Sequence, residues 1–250
     1  MKKVHALSFT LLLLVALAGC SPTKTEEKSE PADIDNQLTA DEAAAGWKLL
    51  FDGKTLTGWT IFKAYPNNTW EVTDGTLHCK PLNEATGDGN ERSDLRTTEQ
   101  FQNFELVFDW KVAPEANSGV MYRVTEEFDQ PYYSGPEYQL IDDTGYPGDL
   151  TDMQKTGSNY DMHAASATKP VKPAGEWNIS KIVVNGNLVE HWLNGSKVVE
   201  YELLSEDWKQ RKDASKWKDA AGYGMAPAGY IDFQDHGNEV WFKNIKIKTL

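Results

Sequence analysis

Apolar and polar residues alternate most regularly where Phe104, Leu106, Phe108, Trp110 and Val112 interleave with Glu105, Val107, Asp109 and Lys111. That period of two predicts a strand with one apolar face. Residues 120–124 repeat the theme after the turn-forming Asn117-Ser118-Gly119. Ile182-Val183-Val184 runs into Asn185-Gly186, and residues 188–193 run into Asn194-Gly195, so two tight hairpins are expected. Strand signals close the chain at residues 230–233 and 240–247. Apolar parity changes between Phe242 and Ile245, which predicts a bulge near Lys243-Asn244.

Helical signals are few. Thr39-Ala40-Asp41-Glu42 reads as a capping box, and Gly46 ends the short helix it opens. Residues 205–222 start with helical character, since Ser205 caps and Glu206 and Asp207 suit an N-terminus. Residues 143–175 are rich in Gly, Pro, Asp and Thr and read as a long loop. Many strands, hairpin turns and one or two short helices predict an all-β sandwich of two antiparallel sheets.

The first residues belong to a different program. Lys2 and Lys3 precede an apolar stretch centred on Leu11-Leu12-Leu13-Leu14, which ends in Leu17-Ala18-Gly19-Cys20. This is the pattern of a signal peptide over residues 1–20, of the bacterial lipoprotein type, with Cys20 the lipidated residue. Residues 21–37 are Ser-, Pro-, Thr-, Lys- and Glu-rich and are expected to be a disordered tether. Residues 38–250 form the single folded domain. The expected address is the bacterial cell envelope, lipid-anchored, at the periplasmic or outer-membrane surface.

Removing the signal leaves Cys79 as the one thiol, so no intrachain disulfide forms and the core must suffice. Nine Trp, ten Tyr and nine Phe supply much of it. The formal net charge of −13 argues against nucleic acid as a partner and favours neutral or cationic ligands.

Candidate chemistry lies in five polar segments beside apolar runs. They are Asn117-Ser118-Gly119, residues 137–142, residues 156–160, Gly175-Glu176-Trp177-Asn178 and Gln234-Asp235-His236-Gly237. Their convergence on one sheet would make a polar pocket. These segments, with Gly46-Trp47-Lys48-Leu49-Leu50-Phe51-Asp52-Gly53, Ser215-Lys216-Trp217 and Lys243-Asn244-Ile245-Lys246-Ile247, resemble in order the 3-keto-disaccharide hydrolase domain family. The resemblance covers residues 38–250. It implies a concanavalin A-like jelly roll with a concave face, and cleavage of sugars oxidised to a ketone at C3.

Such a substrate asks for a base at C2, donors at the C3 oxygen and an acid for the leaving group. Glu137 or His236 is the candidate base, with Asp142 orienting or assisting. Glu137 and Gln139 share a strand face, and a bulge before Asp142 would bring the three together. Arg123 and Asn117 are candidates for the enolate oxygen. Gln139, Gln234 and Asp235 are candidate hydrogen-bonding partners of the sugar, Trp177 a stacking platform, and Tyr160 and His163 a lid. Several have a structural alternative: Glu137 paired with Arg123, His236 as a turn residue, Asn117-Ser118-Gly119 as turn chemistry only, Trp177 as plain core. The spacing Glu137-x-Gln139-x-x-Asp142 is similar to the Glu-x-Asp-x-x-Glu motif of laminarinase-like glycosidases. Gln139, however, cannot ionise, which weakens a double displacement between two carboxylates.

Asp142, Asp143, Asp149, Asp152 and Asp161 make the loop oxygen-rich, but their spacing matches no EF-hand, and neither a loop Ca²⁺ nor a catalytic metal is favoured. No cofactor motif occurs, neither Gly-x-Gly-x-x-Gly nor a P-loop. The ketone must therefore come from a separate sugar 3-dehydrogenase. A non-catalytic carbohydrate-binding module, or an ordinary glucanase, is the alternative reading of the same fold.

Overall fold

Among the described residues, thirteen strands form two antiparallel sheets. The computed structural model describes residues 34–65, 68–82 and 92–250, together with Met1. The signal segment and most of the tether, Cys20 included, lie outside the described residues. Ile34–Leu250 forms one compact unit.

The larger sheet contains β1 (Lys48–Leu49), β3 (Trp70–Thr73), β4 (Thr76–Cys79), β6 (Phe104–Val112), β9 (Asn178–Asn185), β10 (Leu188–Leu193), β11 (Ser196–Glu202) and β13 (Val240–Thr249). Its order is β11-β10-β9-β6-β13-β4-β3, with β1 paired on β13. The smaller sheet contains β2 (Trp59–Ile61), β5 (Leu95–Thr97), β7 (Asn117–Val124), β8 (Glu137–Ile141) and β12 (Tyr230–Phe233), in the order β2-β5-β12-β7-β8. The chain passes repeatedly between the sheets, giving a jelly-roll sandwich.

The alternation in β6 does what it predicts. Phe104, Leu106, Phe108, Trp110 and Val112 are buried, and the residues between them are half-buried on the outer face. Phe108 meets Phe233 across the sandwich and Phe242 on its own sheet, and the Phe233 and Phe242 rings lie 4.4 Å apart. Each such side chain contributes roughly 1.5–3 kcal/mol on burial. Buried hydroxyls in the same layer are satisfied: the Trp110 indole donates to Ser180, Ser180 to the Tyr138 hydroxyl, and Tyr138 to the Trp192 carbonyl. Cys79 is buried and free.

Local signals hold with small offsets. The capping box is complete, with Thr39 accepting from the Glu42 N–H at 3.2 Å and Glu42 from the Thr39 N–H at 3.0 Å. The β10–β11 turn is Asn194-Gly195, both at positive φ (46° and 82°), as a type I′ turn requires. The β9–β10 turn is shifted by one residue. Asn185 still pairs with Leu188, so the loop is Gly186-Asn187, and positive φ falls on Gly186 (60°) at its first position. The expected bulge in β13 appears as a register shift between Lys243 and Lys246, with Asn244 at φ 52°. That bulge also captures the end of the expected tether. The Asn36 side chain accepts from the Asn244 N–H at 2.9 Å, and Asp35 pairs with Lys243 at 2.7 Å. Folded structure thus reaches back to Asp35 and Asn36.

The second helix, Glu206–Ala214, is capped by Ser205, whose hydroxyl accepts from the Trp208 N–H. The residues after it, to 222, are turns and not helix. Among the described residues no helix is long and apolar enough to cross a membrane.

Candidate active site

The outer face of the five-stranded sheet carries two rows of polar residues. Ile231, Phe233, Val120, Tyr122, Tyr138 and Leu140 point into the core. Their neighbours along each strand therefore point out. One row runs across the sheet by direct pairing: Arg96 opposite Asp232, Asp232 opposite Met121, Met121 opposite Glu137. The next row places Gln234, Gly119 and Gln139 side by side, with the Gln234 N–H donating to the Gly119 carbonyl at 2.9 Å.

Glu137 is 4% exposed and leans over Gly119. A Cβ on residue 119 would stand 2.1 Å from Glu137 Oε1, so glycine here makes room for the carboxyl. The orientation of the Gln139 amide that satisfies its neighbours donates to Glu137 Oε1 at 3.1 Å and to the Ser118 carbonyl at 3.3 Å. Its oxygen then faces the Asn117 side chain at 3.0 Å. Burial pushes the Glu137 carboxyl up to about 8, opposed by Lys216 and reinforced by Asp94.

Two further acids share this face. Asp232 is wholly buried, and neither of its oxygens meets a fixed donor among the described residues. Its partner is the Asp94 carboxyl, a bond that requires one of the two to hold a proton. Burial raises Asp232 well above the ordinary carboxylate range and raises Asp94 to about 7, against the Asp235 N–H that donates to Asp94 at 2.8 Å.

Loops build the walls. The Tyr160 N–H donates to the Glu137 carbonyl at 3.0 Å, and the Trp217 indole donates to the Tyr160 carbonyl at 3.0 Å. Trp217 stacks on Tyr223 with ring centroids 4.8 Å apart. Between these aromatics, Lys216 Nζ sits 4.1 Å from the Tyr160 centroid and 4.3 Å from that of Trp217. His236 stands on the turn after β12, where burial lowers its pKa, Asn238 opposes this, and Lys216 adds to it. Lys216 and His236 are both exposed in area, yet the surrounding protein is dense enough for burial to lower both pKa values. Groups on the wall of a hollow behave this way.

The structure thus gathers Glu137, Gln139, Asn117, Gln234, Tyr160 and His236 of the residues expected from sequence. The others lie elsewhere. β8 pairs regularly with β7, without the bulge expected before Asp142. Asp142 therefore stays on the opposite parity, accepts from the N–H groups of Glu115, Thr144 and Gly145, and is held below its ordinary pKa by those bonds against a burial effect. Arg123 has φ 56° at the register shift between β7 and β12, and donates to the Gly186 carbonyl of the other sheet at 2.5 Å. It pairs with nothing near Glu137. His163 stacks on Tyr201 at 4.5 Å, and burial lowers it to about 4. Trp177 lies on the outer face of the larger sheet, beside Lys243 and Lys111. The Asp235 carboxylate is spent on Arg92, Thr69 and the Gly237 N–H.

Sequence reading missed Asp94, Asp232, Lys216 and the space at Gly119. An acid inside the apolar run Tyr230-Ile231-Asp232-Phe233 was the available signal. Of the loop acids, Asp143 pairs with Lys169 and Asp152 with Lys155, both at 2.8 Å. No group of three metal-ligating side chains occurs among the described residues.

The fold is a β-sandwich with buried carboxyls on the outer face of its smaller sheet, and comparison with known proteins puts it in the carbohydrate hydrolase class. The family model described as the 3-keto-alpha-glucoside-1,2-lyase-like domain matches residues 46–248, and the chain belongs to that family. It is 34% identical over 244 residues to a 3-keto-disaccharide hydrolase of Bacteroides thetaiotaomicron, covering 88% of this chain and 83% of the relative. A crystal structure from Parabacteroides distasonis, of a protein assigned provisionally to the glycosyl hydrolases, superposes with TM-score 0.79 at 42% identity, covering 87% of this chain and all of that one. A second from the same organism, with the same provisional assignment, gives TM-score 0.61 at 27% identity, covering 82% and 99%.

Proposed function

We propose that this enzyme cleaves the glycosidic bond of 3-keto glycosides or disaccharides by elimination followed by hydration. The observation that carries the reading is Glu137: a buried carboxyl on the outer face of the smaller sheet, raised to about 8, with no cation within ion-pair distance among the described residues. A base is most effective when its proton affinity lies near the working pH. A ketone at C3 acidifies the adjacent C2–H. Glu137 takes that proton, and the electron pair forms the enolate on the C3 oxygen. The enolate re-forms the ketone as the C1–O bond breaks, leaving a C1–C2 double bond. The leaving oxygen takes up a proton, and protonated Glu137 is placed to return the one it accepted. Water then adds at C1 and a proton returns to C2, so the net reaction is hydrolysis.

Gln139 and Asn117 hold the Glu137 carboxyl in place, while Gln234, Tyr160 and a neutral His236 offer hydrogen bonds to the sugar. No redox step is needed here, so the ketone comes from a separate sugar dehydrogenase. Leu17-Ala18-Gly19-Cys20 supports delivery to the cell envelope through lipidated Cys20. Full-length Cys20→Ala should leave the membrane fraction; if it stays, the anchor is wrong.

The test of the reaction follows a 3-keto disaccharide by NMR in D₂O. Release of two sugars with deuterium at C2 is expected. Cleavage with neither C2 exchange nor a C2 isotope effect would exclude elimination.

A further inference from the structure

We propose that Lys216 recognises the oxidised carbon: its ammonium group donates to the C3 carbonyl oxygen and carries the charge that oxygen gains when the C2 proton leaves. The assignment rests on the elimination reading above. An enolate oxygen needs a positive partner, and a donor aimed at developing charge stabilises the transition state more than the ground state.

The charge inventory around the hollow singles out Lys216. Arg96 donates to Glu126 at 2.9 and 2.7 Å. Arg92 is bound to Asp235, and Lys63 pairs with Asp129 at 3.2 Å. Arg123 is turned away to Gly186. Of these, only Lys216 and Arg123 have no carboxylate within ion-pair distance in the described structure, and with Arg123 spent on Gly186, Lys216 remains, resting on two ring faces. A ring face attracts an ammonium group without claiming any one N–H donor, so the donors stay free for a ligand.

The root of the side chain is fixed while its tip is not. The Lys216 N–H donates to Asp161 Oδ2 at 3.0 Å, and the next residue, Trp217, is buried and bonded to the Tyr160 carbonyl. Tyr160 in turn bonds the backbone of Glu137. One short chain of contacts therefore ties the backbone that carries the cation to the backbone that carries the base. Their charges act on each other: Lys216 works against the burial of Glu137, and Glu137 against the burial of Lys216. An unoxidised sugar has no oxygen at C3 able to take up negative charge, so Lys216 would separate ketone from alcohol.

The experiment compares wild type, Lys216→Met and Lys216→Arg. It measures C2 exchange and cleavage of a 3-keto glucoside, and calorimetric affinity for that glucoside and its unoxidised parent. Lys216→Met should lose about 10²–10³-fold in exchange and cleavage, and should lose its preference for the ketone while binding the parent glucoside as before. Lys216→Arg should recover part of both. Circular dichroism and parent-glucoside binding confirm the folded site. An active wild type with an undiminished Lys216→Met variant overturns the assignment alone. So does borohydride trapping of substrate on Lys216, which would make the amine a nucleophile instead of a donor. A wild type that neither exchanges nor cleaves overturns the elimination reading, and the assignment with it.

Discussion

The two outer faces of the sandwich are both polar and aromatic, yet they treat charge in opposite ways. On the larger sheet, His78 lies between Glu71 and Glu239 at 3.1 and 3.0 Å and stacks on Trp241. Lys111 covers Trp241, Lys243 covers Trp177 and bonds Asp35, and Lys181 covers Trp192. Even Asp109, raised by burial, receives a hydrogen bond from Asn244 at 2.7 Å. On the smaller sheet, Glu137, Asp94 and Asp232 are all raised by burial, and Lys216, whose charge acts on Glu137, pairs with no carboxylate among the described residues. Matched charges stabilise a surface. A surplus of buried carboxyls raises the energy of the ionised state and leaves proton affinity available for chemistry.

The largest effect should come from removing that surplus at its centre. Glu137→Gln is expected to lower kcat by about 10²–10⁴-fold, the usual contribution of a general base. In wild type, log(kcat/KM) should rise with pH and level off above about 8, where Glu137 is ionised. Stability should move the other way. Between the ordinary 4.5 and about 8 the unfolded chain has released the Glu137 proton and the folded chain still holds it. Rising pH therefore favours unfolding across that window, by on the order of a few kcal/mol. Asp94 and Asp232 add the same sign in both proteins, so the difference between the two Tm–pH curves reads Glu137 together with its coupling to those two acids. A Glu137→Gln variant no more stable than wild type at pH 8 would mean the carboxyl is compensated after all.

Gly119→Ala tests the same group without changing its chemistry. The new Cβ would collide with the flexible end of Glu137, which can yield, so the fold should survive. The displaced carboxyl should cost about 10²-fold in kcat, as small misplacements of reacting groups do. Unchanged kinetics with an unchanged fold would show that Glu137 is not held where the reaction needs it.

Much of the scaffold was readable because it depends on local rules. The 104–112 alternation, the Thr39 capping box, the Asn194-Gly195 turn and the Asn244 bulge each follow from spacing and backbone freedom. Glu137 and Gln139 shared a face for the same reason. Asp142 did not join them, because the turn it caps needs its oxygens more than the strand needs a bulge. Arg123 had the parity to face the hollow until a left-handed φ redirected it. Lys216 and Trp177 could not be placed by any periodicity. Both are loop-borne or strand-end residues whose side of the sandwich depends on tertiary contacts. In sequence Trp177 and Trp217 look alike; in the fold they occupy opposite faces.

Two smaller effects complete the comparison. Asp142→Asn should cost about 1 kcal/mol of stability through the Glu115 N–H left without its acceptor, with turnover per folded molecule unchanged. Chemical denaturation and active-site-normalised kinetics read the two separately. Trp177→Ala removes the ring under Lys243 at 4.8 Å and Lys111 at 5.3 Å, and should cost about 0.5–1 kcal/mol. Because those cations are held by other partners as well, and because the ring lies across the sandwich from Glu137, KM and kcat for a 3-keto disaccharide should match wild type. A raised KM for that small substrate would place sugar on the far face, and the division between a chemically paired surface and a reactive one would have to be redrawn.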